Sequence, residues 1–189
     1  MNSTLMRMAC LAAIMTSQAA FADWLDQSTP ASWNQPGLAI PMAPLSAGPI
    51  DPRCKSLERP AELKADKRLR QRGWNLFGGY QGGWQVVVIR AGADYDGMCR
   101  PRNYQDFVFV RGVFAGTLSP RLMDSRTDGA IGRVYIQNGT RLIAEYQRYA
   151  ASDPLCCPSG TTGVEFEIVG DKPVVRPVST YPMQPPTTR

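Results

Sequence analysis

Cysteine is the residue type with the most accessible chemistry in this chain of 189 residues, because histidine is absent. Without histidine the chain lacks the commonest general base, the Ser-His and Cys-His nucleophile pairs, and every metal site that uses imidazole. Cys10 lies in an apolar N-terminal run, and Cys54, Cys99, Cys156 and Cys157 follow it. In an oxidising compartment, these four downstream cysteines predict disulfide bonds.

The four cysteines allow three pairings, and the residues alone leave the pairing open. Because adjacent cysteines seldom bridge each other, we expect Cys156 and Cys157 to reach separately to Cys54 and Cys99. A zinc site of four thiolates is the rival hypothesis, but such sites usually need two close cysteine pairs and this chain has one. A redox role for Cys156 and Cys157 is a further alternative.

A candidate binding or structural loop is formed by Asp124, Arg126 and Asp128, within Asp124-Ser-Arg-Thr-Asp-Gly129. Its beginning resembles a calcium loop, but Arg126 occupies the third position and Tyr135 occupies the position of the bidentate glutamate. We therefore expect no metal there. A loop of alternating charge, held beside Cys156 and Cys157, suits either recognition or a structural corner, and we favour the corner slightly.

Catalytic carboxylates could be drawn from the aspartates in turn-like contexts, namely Asp94, Asp96, Asp124, Asp128 and Asp153. Carboxylates beside Gly, Ser or Pro usually bind backbone amides. No serine has a lysine in an S-x-x-K pattern. We therefore predict a protein that is not an enzyme and that uses no cofactor and no metal. The alternative is a metal-independent envelope hydrolase with two aspartates facing each other at roughly 5 to 9 Å.

Residues 1–22 predict a secretory signal peptide. Arg7 precedes a short apolar run from Met8, and Ala20-Phe21-Ala22 is a small-x-small cleavage site. The apolar run is shorter than the roughly 20 residues that span a bilayer, and no later segment approaches that length. We expect cleavage near Ala22 and a periplasmic or secreted protein whose formal charge falls from +5 to +4 with the loss of Arg7.

The sequence divides into a proline-rich arm or linker at 23–53, a single domain at 54–178 and a loose tail at 179–189. Pro60 and Gly73 are suited to the two ends of a helix over Pro60–Arg72. That helix holds the strongest basic run, but it has no interleaved aromatic residues, and we expect no nucleic-acid partner.

From Trp74 onward the pattern predicts strands. Trp84–Arg90 is nearly uniformly apolar and is expected to be a central strand. Hairpins are predicted to turn at Arg111-Gly112, at Asn138-Gly139 with positive φ at both residues, and at Gly170. The fold class is therefore α+β, an antiparallel sheet of about seven hairpin-linked strands with one preceding helix.

Several segments together resemble the LppP/LprE family of bacterial exported envelope proteins. They include Gly73-Trp-Asn-Leu-Phe77, Met98-Cys-Arg-Pro101, Met123-Asp-Ser-Arg-Thr-Asp-Gly129 and the unusual Ser152-Asp-Pro-Leu-Cys-Cys-Pro-Ser159. The resemblance covers roughly residues 57–178. It implies export, in many members as a lipoprotein, and it supplies no catalytic residues. This chain lacks a cysteine at the expected cleavage site, which favours a free periplasmic protein.

These observations predict a non-enzymatic, disulfide-stabilised, exported cell-envelope protein with a binding or structural role. Its partner would be an envelope protein, a glycan or a lipid.

Overall fold

The computed structural model describes residues 24–46 and 48–183. The predicted signal peptide at 1–22 therefore lies outside the described residues, as do residues 184–189 of the predicted tail.

The described residues form two antiparallel sheets rather than one. The first sheet contains β1 (Asn75–Leu76), β2 (Gln81–Gly83), β3 (Val86–Tyr95), β4 (Pro101–Val110) and β5 (Val113–Thr117). The second contains β6 (Ile131–Ile136), β7 (Arg141–Arg148), β8 (Gly160–Val169) and β9 (Val174–Met183). The α+β character and the hairpins are present, but the expected seven strands become nine across the described residues. The long loop after β5 interrupts the hairpin series and starts a separate sheet.

Because β3 and β4 carry apolar side chains on both faces, the first sheet is the middle of three layers. One face, with Val88 and Val108, packs against the second sheet through residues such as Val164 and Phe166. The opposite face, which includes Phe107, packs beneath the helical and N-terminal segments. Because β3 pairs with β1 and β2 on one side and β4 on the other, it is a central strand, as its composition predicts, but it begins at Val86 and not at the predicted Trp84.

The principal helix, α2, spans Lys64–Gln71 and is shorter than the predicted Pro60–Arg72. The buried Asp66 carboxylate explains the difference. It accepts hydrogen bonds from the backbone N–H of Leu63 at 2.9 Å and from Arg59 Nη2 at 2.6 Å, which fixes the preceding residues in an extended, non-helical path. Burial acts to raise the pKa of Asp66, but these hydrogen bonds and the charge of Arg59 outweigh it and lower that pKa.

A second helix, α1 (Pro52–Lys55), was not predicted from the sequence. It is one turn long and is N-capped by Asp51, whose carboxylate accepts a hydrogen bond from the backbone N–H of Arg53 at 2.8 Å. This turn holds Cys54 in a buried position.

The proline-rich arm lies along the open side of the two sheets, where β5 and β9 approach each other. Asn34 is buried there, and its Nδ2 donates to the carbonyls of Thr117 in β5 at 2.9 Å and Val175 in β9 at 2.8 Å. Its Oδ1 accepts from the backbone N–H of Thr117 at 3.0 Å. A Cβ at Gly116, whose φ is +130°, would lie 2.3 Å from the Asn34 side chain, so this contact requires glycine.

The predicted loose tail is wrong for residues 179–183, which belong to β9. The arm holds this part of the strand in place: Thr180 donates from its backbone N–H to the Ser28 carbonyl at 3.1 Å and from Oγ1 to the Gln27 carbonyl at 2.6 Å. Pro182 is tolerated in this segment because β9 is an edge strand.

The hairpin turns differ from the predicted pattern in one place. Arg111-Gly112 turns β4 into β5 as predicted, with positive φ at both residues, 49° and 79°. Asn138 and Gly139 do not have positive φ, so that prediction is wrong. There the Asn138 carboxamide oxygen accepts hydrogen bonds from the backbone N–H and the hydroxyl of Thr140, at 2.9 and 3.0 Å, which closes the turn through a side chain.

The turn between β2 and β3 consists of Trp84 and Gln85, with φ values of 54° and 66°. A two-residue turn of this kind favours Asn-Gly, because most side chains disfavour left-handed backbone. A bulky residue such as Trp84 is an outlier there.

Replacing this turn with Trp84→Asn and Gln85→Gly is expected to stabilise the protein. The free energy of unfolding should rise by about 1 kcal/mol, because the left-handed conformation then costs less. Chemical denaturation of the double variant and wild type measures the difference. A loss of stability would show that the indole of Trp84 makes a contribution that outweighs its backbone strain.

Candidate functional site

The structure pairs the cysteines as Cys54–Cys99 and Cys156–Cys157. Our expectation that Cys156 and Cys157 would reach separately to the other two is therefore wrong. The reason is topological: Cys99 lies in the turn between β3 and β4, beside α1, whereas the adjacent pair lies in the loop between β7 and β8 of the other sheet.

The turn that carries Cys99 is organised by Asp96. The Asp96 Oδ1 atom accepts from the backbone N–H groups of Met98 and Arg100, both at 2.9 Å. Burial acts to raise the pKa of Asp96, but these hydrogen bonds and the Arg100 side chain lower it further than burial raises it. The Cys54–Cys99 bond therefore joins the hydrogen-bonded turn between β3 and β4 to the segment that leads into α2.

The predicted loop of Asp124, Arg126 and Asp128 is anchored by its two aspartates. Asp124 Oδ1 accepts from the backbone N–H of Asn103 at 2.7 Å. Asp128 Oδ1 accepts from Arg148 Nε at 3.0 Å and from the backbone N–H of Tyr149 at 2.9 Å. Each carboxylate thus fastens the loop to a strand or to the residues that follow one.

Arg126, in contrast, is exposed and has a left-handed φ of 61°. The Cys156–Cys157 pair is also exposed and lies in the loop that begins at Tyr149, the residue bound by Asp128. The Asp128 carboxylate thus binds the backbone N–H of Tyr149, at the start of the loop that carries Cys156 and Cys157.

A cavity of about 250 Å³ opens between the two sheets on the side opposite the arm. Its walls are formed by strand residues of both sheets and by the segment before β2: Phe77, Gly78, Gly79, Gln81, Val88, Gly132 and Val134. Arg90 and Asp106 complete its lining. The glycine-rich segment after Phe77 therefore forms a wall of the cavity as well as leading into β2.

An ion pair between Arg90 and Asp106 supplies the polar chemistry of this cavity. The two residues are directly opposed across β3 and β4. Arg90 donates from Nε to Asp106 Oδ1 at 2.6 Å and from Nη2 to Oδ2 at 2.8 Å, a bidentate pair. The Asp106 side chain is 2% exposed and that of Arg90 is 26% exposed.

Two buried tyrosines surround this pair. The Arg90 guanidinium lies over the Tyr104 ring, 5.1 Å from its centroid. The hydroxyls of Tyr104 and Tyr146 donate to the carbonyls of Ile131 and Leu118. Burial raises the pKa of both tyrosines well above the ordinary value, so they remain neutral donors. Burial acts to lower the pKa of Arg90, but Asp106 raises it more, and the guanidinium stays charged.

One edge of the Arg90 guanidinium remains available to a ligand. Asp106 occupies Nε and Nη2, whereas Nη1 makes no hydrogen bond to any described residue. A donor that is held rigidly beside a partly apolar cavity suits a hydrogen-bond acceptor on a small molecule.

Our sequence reasoning missed this site. The available signal was a lone charge within each of two apolar strands: Arg90 follows Val86-Val-Val-Ile89, and Asp106 precedes Phe107-Val-Phe-Val110. A charged residue in a strand that is buried on both faces needs a partner, but the register that joins these two cannot be seen in the sequence.

Among the residues that the structure describes, no group of His, Cys, Asp and Glu side chains is suited to holding a metal ion. Within the same residues, no helix combines the length and apolar character needed to cross a membrane.

The fold and its cavity define a disulfide-bonded protein of two antiparallel sheets with an internal polar site. The model of the LppP/LprE lipoprotein family matches residues 79–171, which include Arg90, Asp106 and the Asp124–Asp128 loop. This match confirms the resemblance to the family that was seen in the sequence. It supports an exported protein associated with the cell envelope. No curated protein and no solved structure matches the chain.

Removing the two disulfides separately is expected to have unequal effects. Cys54→Ser with Cys99→Ser opens a link with a sequence separation of 45 and should lower the free energy of unfolding by about 4 kcal/mol on chain-entropy grounds. Cys156→Ser with Cys157→Ser opens a link between neighbours and should cost about 1 kcal/mol. Equal losses of unfolding free energy in chemical denaturation would contradict the prediction that Cys54–Cys99 is the more stabilising disulfide.

Asp124 and Arg126 are expected to contribute unequally to the free energy of unfolding. Asp124→Ala leaves the Asn103 amide without its acceptor and should lower the free energy of unfolding by about 1 to 2 kcal/mol. Arg126→Ala, the matched control on the exposed side of the loop, should change it by less than about 0.5 kcal/mol. Thermal melts of the two variants test this difference, and a larger loss for Arg126→Ala would refute a structural role for Asp124.

Proposed function

We propose that this protein is a non-enzymatic binding protein of the cell envelope, which takes a small ligand into the cavity between its two sheets. The ligand would present a hydrogen-bond acceptor to Arg90 Nη1 and an apolar body to Val88 and Val134. The observation that carries the proposal is the unengaged edge of a rigidly held guanidinium on the wall of this cavity.

The size of the cavity limits the ligand. A volume of about 250 Å³ lies just below the range of roughly 300 to 1,000 Å³ for drug-sized molecules. Because Asp106 already balances the charge of Arg90, the site favours a carbonyl or a single carboxylate over a multiply charged anion. Small aromatic or short-chain carboxylates and amides fit both conditions.

The groups around the cavity support binding rather than catalysis. Both Asp106 oxygens are held by Arg90, and Tyr104 and Tyr146 are kept neutral by burial. A general base at this site would need a free lone pair on a group that titrates near neutral pH.

The aspartates in the turns accept hydrogen bonds from the backbone. Asp96, Asp124, Asp128 and Asp153 each accept at least one hydrogen bond from a backbone N–H. These contacts favour structural roles, and no observation favours the alternative of a hydrolase with paired aspartates.

The periplasmic location is part of the proposal. It rests on the predicted signal peptide at 1–22, and the Cys54–Cys99 bond supports it, because such bonds persist in oxidising compartments.

Ligand binding can be tested by thermal shift with benzoate, hexanoate, benzamide and hexanamide, together with native mass spectrometry of protein isolated from the periplasm. We expect at least one of these compounds, or a small molecule that copurifies, to stabilise the wild type. The effect should disappear in Arg90→Met with Asp106→Leu, which removes the donor without leaving an unpaired buried charge.

A pair of glycine variants separates occlusion of the cavity from damage to the fold. Gly79 lines the cavity, Gly83 does not, and a Cβ at either position meets no atom within 4 Å. Gly79→Leu should abolish binding, and Gly83→Leu should preserve it. The proposal is contradicted if none of the four compounds shifts the melting temperature and no small molecule copurifies, or if Gly79→Leu binds as well as wild type.

A further inference from the structure

An exposed indole lies at the end of the first sheet where two hairpin turns meet. The Trp84 residue is 69% exposed, and it occupies a left-handed turn position that favours smaller residues. The neighbouring turn is fixed beside it, because the backbone N–H of Arg111 donates to the Gln85 carbonyl at 2.8 Å. Val113, the first residue of β5 after that second turn, is 51% exposed.

Cationic side chains from α2 adjoin the same turns. Arg68 Nη1 donates to the Gly112 carbonyl at 2.9 Å, which places the helix beside the second turn. Lys64 lies one helical turn earlier on the same face of α2, and Arg111, in the second turn, is exposed. Among the described residues, none of these three cations has an ion-pair partner.

The nearby acidic groups do not cancel this charge. Asp66 of α2 is fully buried and held by Arg59. Glu62, before the helix, is exposed, and its charge acts on Arg59. We call Lys64, Arg68, Trp84, Arg111 and Val113 the tip surface.

The backbone at Trp84 and Gln85 argues against a purely structural reason for this tryptophan. Asn-Gly would form the same turn at a lower conformational cost, and a mostly exposed indole recovers little of that cost by packing. Strained positions that persist in this way are characteristic of functional sites.

We infer that the tip surface docks onto the headgroups of anionic phospholipids. Tryptophan favours the boundary between headgroups and hydrocarbon, because its ring is apolar and its N–H is polar. Arginine and lysine beside it are attracted to the negative surface of such a membrane. This combination of one exposed indole with three unpaired cations matches an anionic lipid surface better than a neutral glycan.

Cosedimentation with vesicles tests the inference, using phosphatidylcholine alone and phosphatidylcholine mixed with phosphatidylglycerol. The wild type should bind the mixed vesicles and not the neutral ones, and salt should weaken binding. Trp84→Asn with Gln85→Gly should lose at least tenfold in affinity. Since that variant is expected to be no less stable than wild type, unfolding cannot account for its loss, and a denaturation curve checks this.

A charge-matched pair of variants separates the tip surface from net charge. Arg68→Gln with Arg111→Gln should weaken binding by at least tenfold. Lys55→Gln with Arg126→Gln removes the same charge from exposed positions on α1 and on the Asp124–Asp128 loop, and should weaken binding less than threefold. The inference is overturned if the wild type binds neutral and mixed vesicles equally, or if both charge variants lose the same affinity for mixed vesicles. It is also overturned if the protein does not bind vesicles and instead needs Trp84 to bind purified peptidoglycan.

Discussion

The buried ion pair between Arg90 and Asp106 constrains how the two sheets pack against each other. Two charges placed between packed sheets are unfavourable unless each is fully engaged, and the bidentate geometry meets that requirement for Asp106. It also fixes the register of β3 against β4, because a slip of either strand by one residue would move its charge to the opposite face, which packs beneath α2, and would separate it from its partner. The same pair lines the cavity that lies between the two sheets.

The opposite side of the molecule shows how the sheets are closed. There the arm contributes Asn34, whose carboxamide joins β5 to β9 and leaves no room for a side chain at Gly116. Trp33 and Trp24 pack on the same side, against Phe166 and Tyr146. One edge of the structure is therefore sealed by a segment with little regular secondary structure, and the other stays open at the cavity.

Local patterns in the sequence predicted the local structure well. The uniformly apolar segment around Val88 is a central strand, and Arg111-Gly112 turns a hairpin as its residue types indicate. The errors arise where a contact that is distant in sequence, or a side chain acting on the backbone, decides the result. Asp66 shortens its helix by binding the residues before it, and Asn138 closes its turn through its carboxamide.

In the candidate site, too, local features were predictable from the sequence and long-range contacts were not. The Asp124–Asp128 loop was recognisable from its turn residues and alternating charge, but the partners of its aspartates, Asn103 and Arg148, depend on the strand arrangement. The cavity was not predictable, because neither Arg90 nor Asp106 belongs to a motif, and only the antiparallel register brings them together. The cysteine pairing was mispredicted for a similar reason, since it depends on which sheet carries each loop.

The claim that Arg90 and Asp106 act as one buried unit is tested most directly by a double-mutant cycle on the free energy of unfolding. The single variants Arg90→Met and Asp106→Leu each leave a buried charge unpaired and should each lose about 3 kcal/mol or more. The double variant should lose much less than the sum of the two, as expected for residues in contact. Additive losses would contradict the account, because they would show that the two residues stabilise the fold independently.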